Sequence, residues 1–130
     1  MGAVLLPAPA PSSARVESIL DTRPFSEKAL AEARADSKPV FVYMTADWCL
    51  TCKVNEEVAI ERAETRAAFE KADVVVLRGD WTRRDPDITR YLTAQGAAGV
   101  PLYMWYAKDG TAEQLPQVLT TSLLAGKAGS

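Results

Sequence analysis

Three short apolar runs, separated by amphipathic and polar stretches, organise the chain. They are Val40-Phe41-Val42-Tyr43-Met44, Val74-Val75-Val76-Leu77 ahead of Arg78, and Leu102-Tyr103-Met104-Trp105-Tyr106. Each is rich in β-branched or aromatic residues and lacks polar alternation, which predicts strands covered on both faces. Ser26 to Ala35 predicts a helix with Ser26 as N-cap and a body of Ala, Leu and Glu; Ser37-Lys38-Pro39 ends it. Lys53 to Glu61 and Thr65 to Lys71 read as two further helical pieces. Asp85-Pro86 starts another, with an N-cap followed by proline at the first position. Its Ile88, Tyr91 and Leu92 share one face, and Gly96 stops it. Lys108-Asp109-Gly110-Thr111 reads as a hairpin turn, Gln114 to Val118 as a returning edge strand that tolerates Pro116, and Thr120 or Thr121 as the start of a last helix. The order α-β-α-β-α-β-β-α predicts an α/β fold: a mixed sheet with helices on both faces and right-handed parallel crossovers.

The N-terminal "MGAVLLPAPAPSSA" breaks this pattern. It lacks the basic start and longer apolar stretch of a signal peptide, and Pro7, Pro9 and Pro11 oppose a helix. Residues 1–20 therefore read as an Ala/Pro linker or a tail left by expression, 21–127 as the domain and 128–130 as a short tail. A linker implies something on its far side, so the chain reads as a domain of a larger protein. Its 130 residues suit a single domain. With 48% hydrophobic and 25% charged residues, it has the makings of one soluble core. A net charge of −2 gives no reason to expect nucleic acid as a partner. No apolar run approaches the roughly 20 residues that span a bilayer. The isolated domain is expected to be a monomer.

Both cysteines of the chain lie in Ala46-Asp47-Trp48-Cys49-Leu50-Thr51-Cys52-Lys53, and the chain has no histidine. That excludes Cys-His and Ser-His nucleophilic catalysis and His-ligated zinc. Two thiols are half a zinc site, so no metal and no other cofactor is expected beyond a Cys49–Cys52 redox pair. A purely structural bridge across so few residues would constrain little of the unfolded chain. The arrangement strand–CxxC–helix in an α/β setting is instead a redox pattern. Unpartnered N–H groups and the helix dipole stabilise a thiolate at the start of the helix. Cys49, at that mouth, is expected to be the exposed attacking thiol, and Cys52, one turn in, the buried resolving thiol.

"WCLTC" after a buried strand, with "GVP" much later before another, resembles the thioredoxin superfamily. The resemblance implies a thioredoxin fold with an N-terminal extension. It also implies a cis peptide bond at Pro101 beside the disulfide, with Val100 offering backbone hydrogen bonds to an extended substrate. "ADWC", the following lysine and the "DWT…DP…I" run narrow the likeness. Over roughly residues 25 to 125, the chain is similar to the C-terminal periplasmic domain of DsbD-type and ScsB-type thiol:disulfide interchange proteins. That implies a protein-disulfide reductase working as an electron relay on the periplasmic side of the bacterial inner membrane. The donor would be a transmembrane domain of the same full-length protein. The acceptor would be a periplasmic thioredoxin-like or immunoglobulin-like domain.

The chain departs from the thioredoxin pattern at Tyr43, where thioredoxins carry a buried aspartate six residues before the first cysteine. A tyrosine is no base near neutral pH unless its pKa falls greatly, and packing the core is the simpler role. Glu56, one turn beyond Cys52, has two readings: a charge that tunes the thiols, as the interchange family implies, or a solvated helix residue. Trp48 is expected to form a docking surface. Arg78, Asp80 and Trp81 have no assigned role, and "RRDPD" from Arg83 to Asp87 reads as a solvated loop and helix cap. Leu50 and Thr51 place nothing cationic between the cysteines, which favours a reductant. An independent disulfide oxidase or isomerase, and a Cu(I)-binding module, are the alternatives.

Overall fold

The computed structural model describes residues 18–130; the greater part of the expected linker lies outside the described residues. The elements are β1 (Thr22–Pro24), α1 (Glu27–Ala35), β2 (Val40–Thr45), α2 (Leu50–Asn55), α3 (Ala63–Ala72), β3 (Val75–Asp80), α4 (Pro86–Ala94), β4 (Leu102–Tyr106), β5 (Ala112–Gln114) and α5 (Thr121–Gly129). Helix α2 runs on into a π-helical turn, Glu56–Ile60. The sheet order is β1-β3-β2-β4-β5. Strands β1, β3 and β2 are parallel, while β4 and β5 run antiparallel to their neighbours.

Alternation along β2 builds the core. Val40, Val42 and Met44 face α1 and α4, packing with Leu30, Ala33, Ile88, Tyr91 and Leu92. Phe41 and Tyr43 face the other layer, with Ala59, Ile60, Phe69 and Leu124. Every residue of β2 is buried, as a strand covered on both faces requires. The capping residues act as the sequence suggests. Ser26 Oγ accepts from the Ala29 N–H, and Asp85 Oδ1 accepts from Asp87 and Ile88 ahead of Pro86.

Two strands differ from expectation. β1 carries no apolar run; three residues ending in Pro24 pair at the edge of the sheet beside β3. β5 spans Ala112–Gln114 rather than Gln114 to Val118. After one more bond, from the Leu115 N–H to Tyr103 O (2.8 Å), Pro116 has no N–H to continue the ladder. Leu115 to Leu119 instead form a strap towards α2. The folded body also extends past 21–127. Leu20 is buried, Glu61 accepts from Ser18 Oγ and the Ile19 N–H, and α5 continues to Gly129.

Candidate active site

β2 ends at Thr45, and a tight turn, closed by Cys49 N–H donating to Ala46 O (3.1 Å), delivers the chain to the start of α2. Cys49 is the N-cap of α2, and its Sγ accepts from the Cys52 N–H at 3.2 Å. Unpartnered N–H donors at a helix start are an environment that stabilises a sulfur anion. Cys49 and Cys52 form a disulfide, with Cα atoms 5.2 Å apart. Cys52 is 0% exposed, but Cys49 retains only 8%, so the expected open thiol is largely covered in the disulfide form. The reason is local: Cys49 turns in to cap the helix and packs with Ala46, Cys52 and Val100. It is nevertheless the cysteine with any open surface.

The Val100–Pro101 peptide bond is cis, and Val100 packs against the cysteines. Among the described residues, the Val100 backbone makes no hydrogen bond. It lies just beyond the last β2–β4 pair, Met44 with Leu102.

Glu56 follows Cys52 by one turn, at the start of the π-helical turn. Its side chain is 13% exposed. Thr45 Oγ1 donates to Oε2 at 2.5 Å, and Lys53 Nζ donates to Oε1 at 3.2 Å. It is therefore not a solvated helix residue. Tyr43 is 1% exposed, and burial holds its phenol far above the ordinary tyrosine range; Arg78 opposes that rise and Glu56 adds to it. Tyr43 thus sits as a core phenol, stacked on Phe41.

Trp48 is 51% exposed and held at its edge, with Nε1–H donating to Thr82 O at 3.0 Å. Thr82 Oγ1 also accepts from the Asp47 N–H at 2.9 Å. The Arg84 guanidinium lies over both the Trp48 ring (5.3 Å) and the Trp81 ring (4.9 Å). The loop after β3 therefore buttresses the tryptophan, and Arg84 is more than part of a solvated loop. The sequence also gave no hint of Asn55 and Gln117. Asn55 is a buried polar residue on α2 that holds the Leu115–Leu119 strap. A polar side chain flanked by Val54 and Glu56 reads as surface until the fold brings the strap over it.

Among the described residues, no group of three or more Cys, Asp or Glu is placed to hold a metal ion, and no helix is long and apolar enough to cross a membrane.

The molecule thus joins a CxxC disulfide that caps a helix to a cis proline beside it, on a mixed sheet of order β1-β3-β2-β4-β5. The sequence matches the thioredoxin-like family over residues 21–108. The chain belongs to that family. Within it, the thiol:disulfide interchange protein DsbD of Vibrio cholerae is 29% identical over 122 residues, 91% of this chain. DsbD of Escherichia coli K12 is 30% identical over 97 residues, 75% of this chain. The chain spans only 20% and 16% of the lengths of those two relatives. In three dimensions, the fold is similar to the oxidised C-terminal domain of Neisseria meningitidis DsbD, with a TM-score of 0.60 and 24% identity over 80% of this chain and 95% of that domain. A Thermus thermophilus thioredoxin superposes with a TM-score of 0.65 at 19% identity, over 85% of each chain. This chain is thus a homologue of one part of DsbD, set in a thioredoxin-like fold.

Proposed function

We propose that this chain is the electron-carrying domain of a DsbD-type interchange protein, a protein-disulfide reductase acting through Cys49 and Cys52. The observation that carries this reading is the Cys49–Cys52 disulfide at the N-terminus of α2, with the Val100 backbone open beside it. In the reduced form, the Cys49 thiolate attacks one sulfur of a partner disulfide. The partner's S–S bond breaks, a mixed disulfide forms, and the leaving sulfur takes a proton. Cys52 then loses its proton and attacks Cys49 Sγ. The partner departs as a dithiol, and the Cys49–Cys52 bond is restored. Two electrons have moved outward. The reverse sequence, with a donor's dithiol attacking Cys49–Cys52, reduces the domain again.

The surroundings support a protein partner rather than a small thiol. Trp48, Leu50, Val54 and Val118 are large exposed apolar side chains on α2, on the turn before it and on the adjoining strap. The donor in this reading is a transmembrane domain of the full-length protein. The acceptor is a periplasmic domain, thioredoxin-like or immunoglobulin-like, which puts this domain on the periplasmic side of the inner membrane. Reduction of insulin disulfides with dithiothreitol as electron source tests the chemistry. Wild-type protein should accelerate it, Cys49→Ser should abolish the acceleration, and Cys52→Ser should stall as a Cys49 mixed disulfide. Full activity in Cys49→Ser would rule the mechanism out.

A further inference from the structure

Two separate segments must be held in register for this chemistry: α2, which carries Cys49, and the loop at Val100–Pro101. Side chains outside the reacting pair connect them. Gln117 Nε2 donates to Pro101 O at 2.9 Å. The Gln117 backbone carbonyl accepts from Asn55 Nδ2 at 2.7 Å, and Asn55 Oδ1 accepts from the Leu119 N–H at 3.1 Å. Asn55 Nδ2 also donates to Tyr103 Oη at 3.0 Å, on the strand that continues from Pro101. Asn55 sits on α2 three residues after Cys52 and is 3% exposed. The path therefore runs from the cysteine helix, through Asn55 and Gln117, to the proline carbonyl.

The two bridging residues differ in kind. Asn55 is a buried amide with both its oxygen and its nitrogen engaged, so the fold needs it. Gln117 is exposed, and water would satisfy its amide equally well. A bond from an exposed side chain to a carbonyl beside the disulfide has little to offer stability. It does restrict where the Pro101 carbonyl, and with it the neighbouring Val100 backbone, can lie.

We propose that Gln117, held in place by Asn55, is a positioning residue that sets the Val100 backbone against Cys49 for an extended protein substrate. This rests on the exchange reading above. An extended chain pairing with the Val100 backbone presents its disulfide to Cys49 at a separation fixed by α2 on one side and the proline loop on the other. Small misplacements of that kind weaken productive binding of a protein substrate. A small disulfide that needs no strand pairing does not feel them.

The test compares Gln117→Ala and Gln117→Glu with wild type. The glutamate keeps the size of glutamine but cannot donate to Pro101 O. Three readouts are taken: insulin reduction, reaction of the reduced protein with 5,5′-dithiobis(2-nitrobenzoate), and amide NMR spectra. Both variants should raise KM for insulin roughly fivefold, the scale of one neutral hydrogen bond lost between the substrate and a misplaced Val100 backbone. The kcat, the rate with the small disulfide and the thermal midpoint should stay unchanged. The amide resonances of Val100 and Leu102 should shift, while those of Ala46 and Cys52 stay. An unchanged KM overturns the proposal, as does an equal slowing with the small disulfide, which would place the effect at the cysteines. If wild type reacts with the small disulfide but leaves insulin untouched, the proposed protein-reductase reading itself fails. The NMR comparison then still decides the positioning claim, because unshifted Val100 and Leu102 resonances overturn it without reference to activity.

Discussion

Both carboxylate oxygens of Glu56 are engaged, Oε2 by Thr45 and Oε1 by Lys53, one turn from the buried sulfur of Cys52. A negative charge there disfavours a neighbouring thiolate, and the Lys53 ammonium offsets part of it. Glu56→Gln should therefore speed alkylation of reduced Cys49 by iodoacetamide at pH 7 by about threefold or more, since one pKa unit is a tenfold change in thiolate share near neutrality. Lys53→Met leaves the carboxylate uncompensated and should slow the reaction. Identical rates in all three proteins would remove Glu56 from the chemistry. Asn55 makes a different prediction. Its loss leaves the Leu119 N–H, the Gln117 carbonyl and the Tyr103 hydroxyl without a partner. Asn55→Ala should destabilise the fold by about 2 kcal/mol or more in urea unfolding. At this scale, what depends on spacing is legible in the sequence: the cysteine pair that closes into a disulfide, and the positions of Trp48 before it and Glu56 one turn after. It concealed Asn55–Gln117 and Arg84–Trp48, because those contacts join residues far apart in the chain whose types look ordinary at the surface.

Among the elements, β2 and β3 pair in parallel beneath the site, and the Met44 side chain of β2 lies over Gly79 of β3. A Cβ at that position would lie 2.1 Å from Met44 Sδ, in the layer beneath α4. Met44 is fully buried, so its thioether end would have to shift within the packed layer to make room. Gly79→Ala should cost about 1 to 3 kcal/mol by overpacking, seen as a lower thermal midpoint. The apolar runs identified β2, β3 and β4 because a doubly covered strand needs an unbroken apolar stretch. The edge strands β1 and β5 were missed or shifted for the complementary reason. Their side chains are mostly exposed, so no apolar pattern marks them. The π-helical turn at Glu56–Ile60 was equally hidden, since the local sequence is compatible with an ordinary helix.

For the whole molecule, buried tyrosines set an alkaline limit. Burial pushes the Tyr103 phenol from 10.0 up to about 12, with Glu56 adding to the rise and the Asn55 bond opposing it. Burial raises Tyr43 and Tyr91 further, Tyr91 also through its bond with Tyr106. The folded state holds these protons more tightly than the unfolded chain does. Their stabilising contribution is complete below about pH 10, the unfolded tyrosine value, and declines as pH rises through about 12. Unfolding midpoints in urea should therefore fall steadily between those limits; a flat profile would contradict this burial. The direction of electron flow is also a property of the whole domain. In the proposed relay, the absence of a cation between Cys49 and Cys52 and the carboxylate one turn away limit the thiolate stabilisation that the start of α2 supplies, and with it the oxidising power of the pair. The most direct test is the equilibrium potential of the Cys49–Cys52 couple, measured in glutathione or dithiothreitol redox buffers with alkylation as readout. A reducing relay predicts a value in the thioredoxin-to-glutaredoxin range, about −270 to −200 mV. A value near −120 mV would contradict it and make the domain an oxidase.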